Sequence, residues 1–311
     1  MIGVYFDGRL GNQLFQYAFA RKLKQLRGEK DDFVFNFGFV VNAGSVEEHF
    51  EDNLQYFKIE PYVVFSGELE RRYCNLHQRF TLDLMKLLCR AKHTDLHHLK
   101  KKGYYHQLDR LGIVISREDE TDQSFEVPFT GSVVTMGRFM IPTYYNDIKA
   151  ILQKEFEPKQ PILNVNKGLY QQICTTQSVC VHIRRGDYLS DAFKKDFFVC
   201  DEEYFRRAIS LMSEKVNNPT FVFFSDDVDW VKATFHIEAP CMYERSDDPS
   251  WEALRLMYSC KHFIISNSTF SWWAQYLCRN ENKIVISPNR WFANPEWKSY
   301  LIQEDFIKID V

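Results

Sequence analysis

The chain has 311 residues, 45% of them hydrophobic and 26% charged, with a formal net charge of −3 from 39 Lys+Arg against 42 Asp+Glu. Such a length suits two domains of ordinary size. The composition excludes a disordered or fibrous chain, and the charge balance excludes a global positive field that would draw the protein onto nucleic acid or an anionic membrane, so any basic site has to be local.

The N-terminus, Met1-Ile2-Gly3-Val4-Tyr5-Phe6, reaches Asp7 without the basic start and apolar run of a signal peptide. No window offers ~18 uncharged apolar residues, so no membrane span is expected. The eight cysteines, at 74, 89, 174, 180, 200, 241, 260 and 278, form no Cys-x-x-Cys pair, and several sit in apolar segments where a thiol behaves as a small hydrophobe. Reduced thiols in a soluble, cytoplasmic protein are the expectation. The 27 Phe, 16 Tyr and 6 Trp suit a large core and equally suit sugar stacking.

Residues 2–6 read as a short buried strand. After them come the loop Gly8-Arg9-Leu10-Gly11-Asn12-Gln13 and then Leu14, Phe15, Ala18, Phe19, Leu23 and Leu26 at helical spacing. The loop is only loosely like a dinucleotide-binding glycine loop, because the third glycine and the acid that should end a second strand are missing. Asn12 and Gln13 suit hydrogen bonds to hydroxyls instead. Residues 28–130 give an aromatic stretch at 33–39, a helix over 82–90 and a polar basic run at 93–102, with no legible topology. In that run His93, His97 and His98 include a pair spaced by four, a possible metal clip on a helix, but beside Lys100, Lys101 and Lys102 a solvated basic face is the stronger reading. A strand over 131–137 and a helix over 146–156 follow, and prolines 158 and 161 mark the expected boundary between domains 1–160 and 161–311.

Beyond that boundary strand candidates at 178–183, 221–225, 262–266 and 283–287 alternate with helices at 202–215, 250–260 and 270–277. Continuous apolar strands separated by helices predict a parallel sheet covered on both faces. Each strand ends on polar residues: Arg184, then Ser225-Asp226-Asp227, Ser266-Asn267-Ser268 and Ser287-Pro288-Asn289. Parallel strands bring their C-terminal ends to one edge, where open α/β sheets bind ligands.

At that edge His182-Ile183-Arg184-Arg185-Gly186-Asp187-Tyr188 offers two guanidiniums for bidentate anion binding, a glycine that permits close backbone approach, and a carboxylate to hold an arginine; a purely structural Arg–Asp pair is the bland alternative. Arg185-Gly186-Asp187 also spells an adhesion tripeptide, yet a segment attached to a buried strand cannot present itself as a mobile loop. Ser266-Asn267-Ser268-Thr269-Phe270-Ser271-Trp272-Trp273 caps a helix, and free N–H groups at a helix start favour phosphate. Ser225-Asp226-Asp227 fits a ribose or purine contact as well as a plain N-cap. Asp227-Val228-Asp229 matches a carboxylate-x-carboxylate metal pattern, but arginines can neutralise phosphate without a metal, and none is expected.

Four blocks together resemble the bacterial α1,2-fucosyltransferase family: Gly8-Arg9-Leu10-Gly11-Asn12-Gln13-Leu14-Phe15-Gln16-Tyr17, His182-Ile183-Arg184-Arg185-Gly186-Asp187-Tyr188, Phe223-Phe224-Ser225-Asp226-Asp227, and Ser266-Asn267-Ser268-Thr269-Phe270-Ser271-Trp272-Trp273-Ala274. The resemblance implies a GT-B α/β fold of two Rossmann-like lobes facing a central cleft, and an inverting, metal-independent transfer of L-fucose from GDP-fucose to the 2-hydroxyl of a galactose-terminated glycan. It places Arg184, Ser268 and Thr269 on the donor diphosphate, Asp226 at guanosine and Asn12 near fucose and acceptor. The expected set is Arg184, Asp187 and Asn12 at the chemistry, with His182, Arg185, Asp226, Asn267, Ser268, Thr269, Phe270, Gly11 and Gln13 around the donor. The general base stays open, and so do the acceptor and peripheral membrane work on lipid-linked glycans. Rivals are another linkage, another nucleotide sugar, a metal-dependent transferase on Asp227 and Asp229, and a silent glycan- or nucleotide-binding protein.

Overall fold

The computed structural model describes residues 1–43, 51–91, 104–118, 123–127, 131–186 and 190–311. The chain divides by compactness into two units, residues 1–55 with 59–148, and residues 56–58 with 149–311.

The first unit is built on five strands, β1 (Ile2–Tyr5), β2 (Phe33–Asn36), β3 (Tyr62–Val64), β4 (Ile113–Ile115) and β5 (Val133–Met136). All pair in parallel in the order β3-β2-β1-β5-β4. The helix Leu10–Leu26 follows the central strand, and its buried positions run all round it rather than along one stripe, as a helix enclosed by its own unit requires. Gly8 makes the turn into that helix at φ +70, where a Cβ would lie 2.3 Å from Asn12 Nδ2, so the position needs glycine on both conformational and steric grounds. The aromatic surplus goes into this core: Phe6 stacks on Phe37 at 4.7 Å and Phe19 on Phe139 at 3.9 Å, while Phe15, Tyr17, Phe33 and Phe35 are buried. The stretch at 33–39 thus becomes β2 and the start of the short helix Gly38–Ala43. The helix expected over 82–90 is longer, Leu76–Ala91, and the run containing His93, His97, His98 and Lys100 to Lys102 lies outside the described residues.

The second unit holds six strands, β6 (Gln177–Ile183), β7 (Pro219–Ser225), β8 (Cys241–Tyr243), β9 (His262–Ile264), β10 (Val285–Pro288) and β11 (Ile307–Ile309). They too are all parallel, in the order β11-β10-β9-β6-β7-β8. β6 is the first strand of the sheet in chain order. The chain builds outward from it through β7 and β8, then returns to its other side for β9, β10 and β11, so the winding reverses between β6 and β9. On one face of the sheet Val179, Val181, Ile183, Phe221 and Phe223 pack with Tyr204, Phe205, Ala208 and Met212 of the helix Glu202–Lys215.

The division between units falls after Ile148 rather than at the prolines. The helix Lys149–Glu155 belongs to the second unit, where Gln153 Nε2 donates to the carbonyls of Leu277 and Cys278 at 3.2 and 3.3 Å and Phe156 meets Trp273 edge-on at 5.3 Å. Nor is the proline segment a loose linker. Arg255 donates to the carbonyls of Gln160 and Pro161 at 2.7 and 3.0 Å, and Glu252 Oε1 accepts from Leu163 N–H at 2.9 Å. Proline ends the helix there, while a buried Glu252–Arg255 pair holds the following backbone against the sheet's own helix.

Candidate active site

The reversal between β6 and β9 is the place where the two neighbouring strand–helix connections leave in opposite directions, opening a crevice at the C-terminal edge of the sheet. The residues that close β6 are held there by the ends of β7 and β9.

His182, the penultimate residue of β6, is buried, and its Nδ1 shares a 3.0 Å hydrogen bond with Ser266 Oγ. Burial, aided by the positive charge of Arg184, pushes its pKa down to about 3, which favours the neutral ring. Arg184 Nη1 pairs with Asp226 Oδ2 at 3.0 Å. The other oxygen, Asp226 Oδ1, accepts from Arg185 N–H at 2.9 Å, so one carboxylate orients the guanidinium and fixes the backbone that carries it. Gly186 completes this turn: a Cβ there would sit 2.6 Å from Asp226 Oδ2, and any side chain would have to displace the acid that positions Arg184. Asp226, expected at guanosine, is here the anchor of Arg184.

Arg185 is occupied differently. Its guanidinium lies 3.6 Å from the centre of the Trp230 ring and its Nε is 3.2 Å from Asp227 Oδ2, while Asp227 Oδ1 caps the helix Val228–Thr234 by accepting from Trp230 N–H at 3.1 Å. Arg185, expected as a donor contact, here joins the end of β6 to the turn after β7. The same bonds employ Asp227 as cap and ion-pair partner, and Asp229 points into solvent beside Lys232 at 3.9 Å.

At the end of β9, Asn267 is buried and donates both protons of its amide, to Phe197 O and Trp291 O, each at 2.8 Å. Its amide nitrogen ties two loops together. Ser268 is the N-cap of the helix Thr269–Leu277, its Oγ accepting from Phe270 N–H at 3.3 Å. Thr269 and Phe270 are partly exposed at the start of that helix, with the Phe270 ring 5.9 Å from that of His182. The tryptophan pair after them is core: Trp272 and Trp273 are fully buried, and Trp272 Nε1 donates to Leu301 O at 2.9 Å, so neither ring is a sugar platform.

In the first unit Gly11 and Asn12 lie in the opening turn of the helix that follows β1. Gln13, expected to meet hydroxyls, is fully buried. Its Nε2 donates to the carbonyls of Gly8 and Glu51 at 3.1 and 2.9 Å, and its Oε1 accepts from Asn53 N–H at 3.0 Å. All of its hydrogen-bonding capacity seen here braces loops. Asp187 lies outside the described residues.

One acid at this edge has no counterpart in the sequence reading. Glu244 follows β8, and its N–H donates to Phe223 O at 2.9 Å, which keeps it in line with β7. Its carboxyl accepts no hydrogen bond among the described residues, and burial, with the nearby charge of Asp248, raises its pKa well above the usual range. The next acids along are engaged, Asp247 with Arg245 at 2.8 Å and Asp248 with Asn166 Nδ2 at 2.8 Å. A three-residue strand leaves no periodic signal in the sequence, so nothing marked Glu244 as a strand end.

Taken together, the edge carries a braced guanidinium on β6, helix N–H groups after β9 and acids after β7 and β8. Electrostatically this is a seat for an anion with a hydrogen-bonding appendage reaching toward β7 and β8.

Residues 1–309 match the family described as Glycosyl transferase family 11. The chain is 30% identical over 307 residues to an alpha-1,2-colitosyltransferase of Escherichia coli, covering 94% of this chain and 93% of that one. It is 27% identical over 314 residues to the Escherichia coli O-antigen biosynthesis glycosyltransferase WbnK, covering 97% and 98%. The human galactoside alpha-(1,2)-fucosyltransferase 1 is 31% identical over 146 residues, covering 43% of this chain and 40% of that protein. Among solved structures, the NodZ alpha-1,6-fucosyltransferase soaked with GDP-fucose aligns with a TM-score of 0.52 at 13% identity, over 93% of this chain and 94% of that one. That likeness places the two parallel-sheet units in the GT-B fold.

Proposed function

The chain belongs to glycosyl transferase family 11, and from that premise we propose that it transfers L-fucose from GDP-fucose to the 2-hydroxyl of a terminal β-galactoside. The observation that carries this reading is Arg184, held by Asp226 at the strand where the sheet's winding reverses. The relatives support the 1,2 linkage, which both the colitosyltransferase and the human fucosyltransferase bear in their names.

The acceptor oxygen attacks the anomeric carbon from the face opposite GDP, so β-linked donor becomes α-linked product. As the bond to the diphosphate breaks, negative charge grows on its oxygens. Arg184 and the start of the helix Thr269–Leu277 oppose that charge with groups already in place, which is where preorganised donors contribute most. The neutral His182 supports Ser266 at the base of the site without adding a competing proton. Farther from β6 the ribose falls at the end of β7 and the guanine edge toward Glu244, whose carboxyl can accept from the purine's N–H groups. Charge neutralisation by arginine leaves no step that requires a metal.

The full-length likeness to a colitosyltransferase supports a second reading, with colitose as the transferred sugar. Colitose lacks the 3-hydroxyl of fucose, so the two donors differ at one oxygen. Incubation with GDP-fucose and with GDP-colitose, each with a panel of β-galactosides and EDTA, followed by linkage analysis of the product, separates the readings. An α1,2-fucosylated product in the presence of the chelator is expected. Preference for the colitose donor, a different linkage, or tight GDP binding without transfer would each replace the proposal.

A further inference from the structure

The helix Leu76–Ala91 in the first unit is apolar on two faces. Its inner face is anchored: Leu82 is fully buried in a cluster with Tyr105, Leu108, Ile113 and Ile115, and Gln78 Nε2 donates to the carbonyls of Leu111 and Ser132 at 2.6 and 2.8 Å. With the rotation of the helix so fixed, Leu76, Phe80, Leu84, Leu87 and Leu88 point outward, exposed by 79, 68, 46, 61 and 43%. Their spacings of four, four, three and one keep them on one stripe of a 3.6-residue helix, running about 18 Å along its axis. Helices of soluble domains ordinarily turn one apolar face to the core and a charged one to water.

Charge tells what this face suits. Within the helix Arg79, Lys86 and Arg90 are basic and Asp83 is the single acid, and in the short helix before it Arg72 stands exposed beside Arg71, which pairs with Glu68. In sequence the bias runs on through Lys92, Lys100, Lys101 and Lys102. Between 68 and 103 the chain carries nine basic residues against Glu68, Glu70, Asp83 and Asp95, in a protein whose net charge is −3. A stripe of Leu and Phe bordered by Lys and Arg is the pattern of a helix lying in the plane of an anionic lipid surface, with its apolar side among the acyl chains and its cations at the headgroups. A second copy of the chain is a poorer fit, because joining two such stripes brings their basic borders together. The helix has 16 residues, and no helix among the described residues is long and apolar enough to cross a membrane, so the arrangement lies on a bilayer rather than through it.

We propose that the outer face of the helix Leu76–Ala91 docks the protein onto anionic lipid bilayers, through Phe80, Leu84 and Leu87 with their flanking basic residues. The test is cosedimentation of the full chain with vesicles of phosphatidylglycerol and phosphatidylethanolamine, in parallel with phosphatidylcholine alone, for the wild type and for the combined Phe80→Gln, Leu84→Gln, Leu87→Gln variant. The wild type is expected to bind the anionic vesicles, more weakly at high salt, and to leave the neutral ones largely unbound. The variant should lose roughly tenfold or more of that binding, since even one seated Leu is worth about that factor. Because the three side chains touch solvent, its thermal melt and its transfer to a soluble acceptor should stay unchanged. Absence of wild-type binding to anionic vesicles, equal binding by the variant, equal binding to neutral vesicles, or a stripe-dependent dimer in place of vesicle binding would overturn the proposal. None of these readouts depends on which sugar the enzyme transfers.

Discussion

Arg184 has its guanidinium on Asp226 Oδ2 at 3.0 Å, whereas Arg185, one residue on, lies 3.6 Å over the Trp230 ring. Both follow the last residue of β6, and the two arginines meet different partners from the turn after β7. Arg184→Ala is expected to cut turnover by roughly a hundred- to a thousandfold, the loss of about 2.7–4 kcal/mol that removal of one preorganised charge-stabilising donor typically brings. Its melting temperature should stay near that of the wild type, and near-normal turnover would remove the arginine from the chemistry. Arg185→Ala should act on stability instead, by about 1 kcal/mol for the loss of a stacked cation and a partly exposed ion pair; thermal melts of the two variants side by side test the division. Residue type alone makes the pair two anion binders, and the resemblance singles out Arg184; the contacts of Arg185 with Trp230 and Asp227, more than 40 positions downstream, are not legible in the sequence. The same limit applies to Gln13 and Asn267. Their residue type announces hydrogen bonding, but whether the partner is a ligand or a backbone carbonyl depends on which loops the fold brings past them.

At the scale of elements, the helix Thr269–Leu277 depends on a single side-chain cap, Ser268 Oγ receiving Phe270 N–H. Ser268→Ala should cost about 1 kcal/mol of stability, as loss of an N-cap typically does, measurable as a shift of the urea midpoint without a change in slope. A larger rise in the KM for the donor than that loss explains would show that the freed N–H groups also serve the ligand. Which elements were readable follows from their length. β6 and β7 have seven residues each and are buried on both faces, and they stand out in the sequence as largely apolar runs. β3, β4, β8, β9 and β11 have three residues each, too few to show a period; β9 is readable because its apolar run continues through Ile265 to Ser266, while the outer strands of both sheets were invisible. The candidate edge was nevertheless legible, because the polar residues that end β6, β7 and β9 are fixed by the reversal of the winding and not by the outer strands.

For the molecule as a whole, the expectation of two α/β units survives while the seam between them moves, from the prolines to the residue before Lys149. Proline marks where a helix stops; it carries no information about which sheet the next segment packs against, and here Arg255 and Gln153 decide that. The thiols give a global test of the packing. Cys180, Cys200, Cys260 and Cys278 are buried, Cys74 and Cys241 are intermediate, Cys174 is exposed, and none of these seven is in a disulfide. Burial also pushes the Cys180 and Cys200 thiols far above their ordinary pKa, which suppresses the reactive thiolate. Among these seven, an aromatic disulfide reagent on the native protein should label Cys174 first and the four buried thiols only after unfolding, with peptide mass mapping as the readout. Reductant should leave the melt unchanged; a melt lowered by reductant would reveal a cross-link that the packing does not predict.

The stacking of Arg185 on Trp230 has an optical side. Of the six tryptophans, Trp272 and Trp273 are sealed in the core, while Trp230 is partly exposed beneath a cation at the sheet edge. An indole's emission responds to the field across its ring, so on the proposed reading a diphosphate seated near Arg184 and Arg185 should alter the emission of Trp230, and a Trp230→Phe variant separates its signal from that of the other five tryptophans. Titration with GDP then reads the proposed site by intrinsic fluorescence, without a label, a radioactive donor or a completed reaction; an emission unchanged by GDP in the wild type would count against a nucleotide beside this pair.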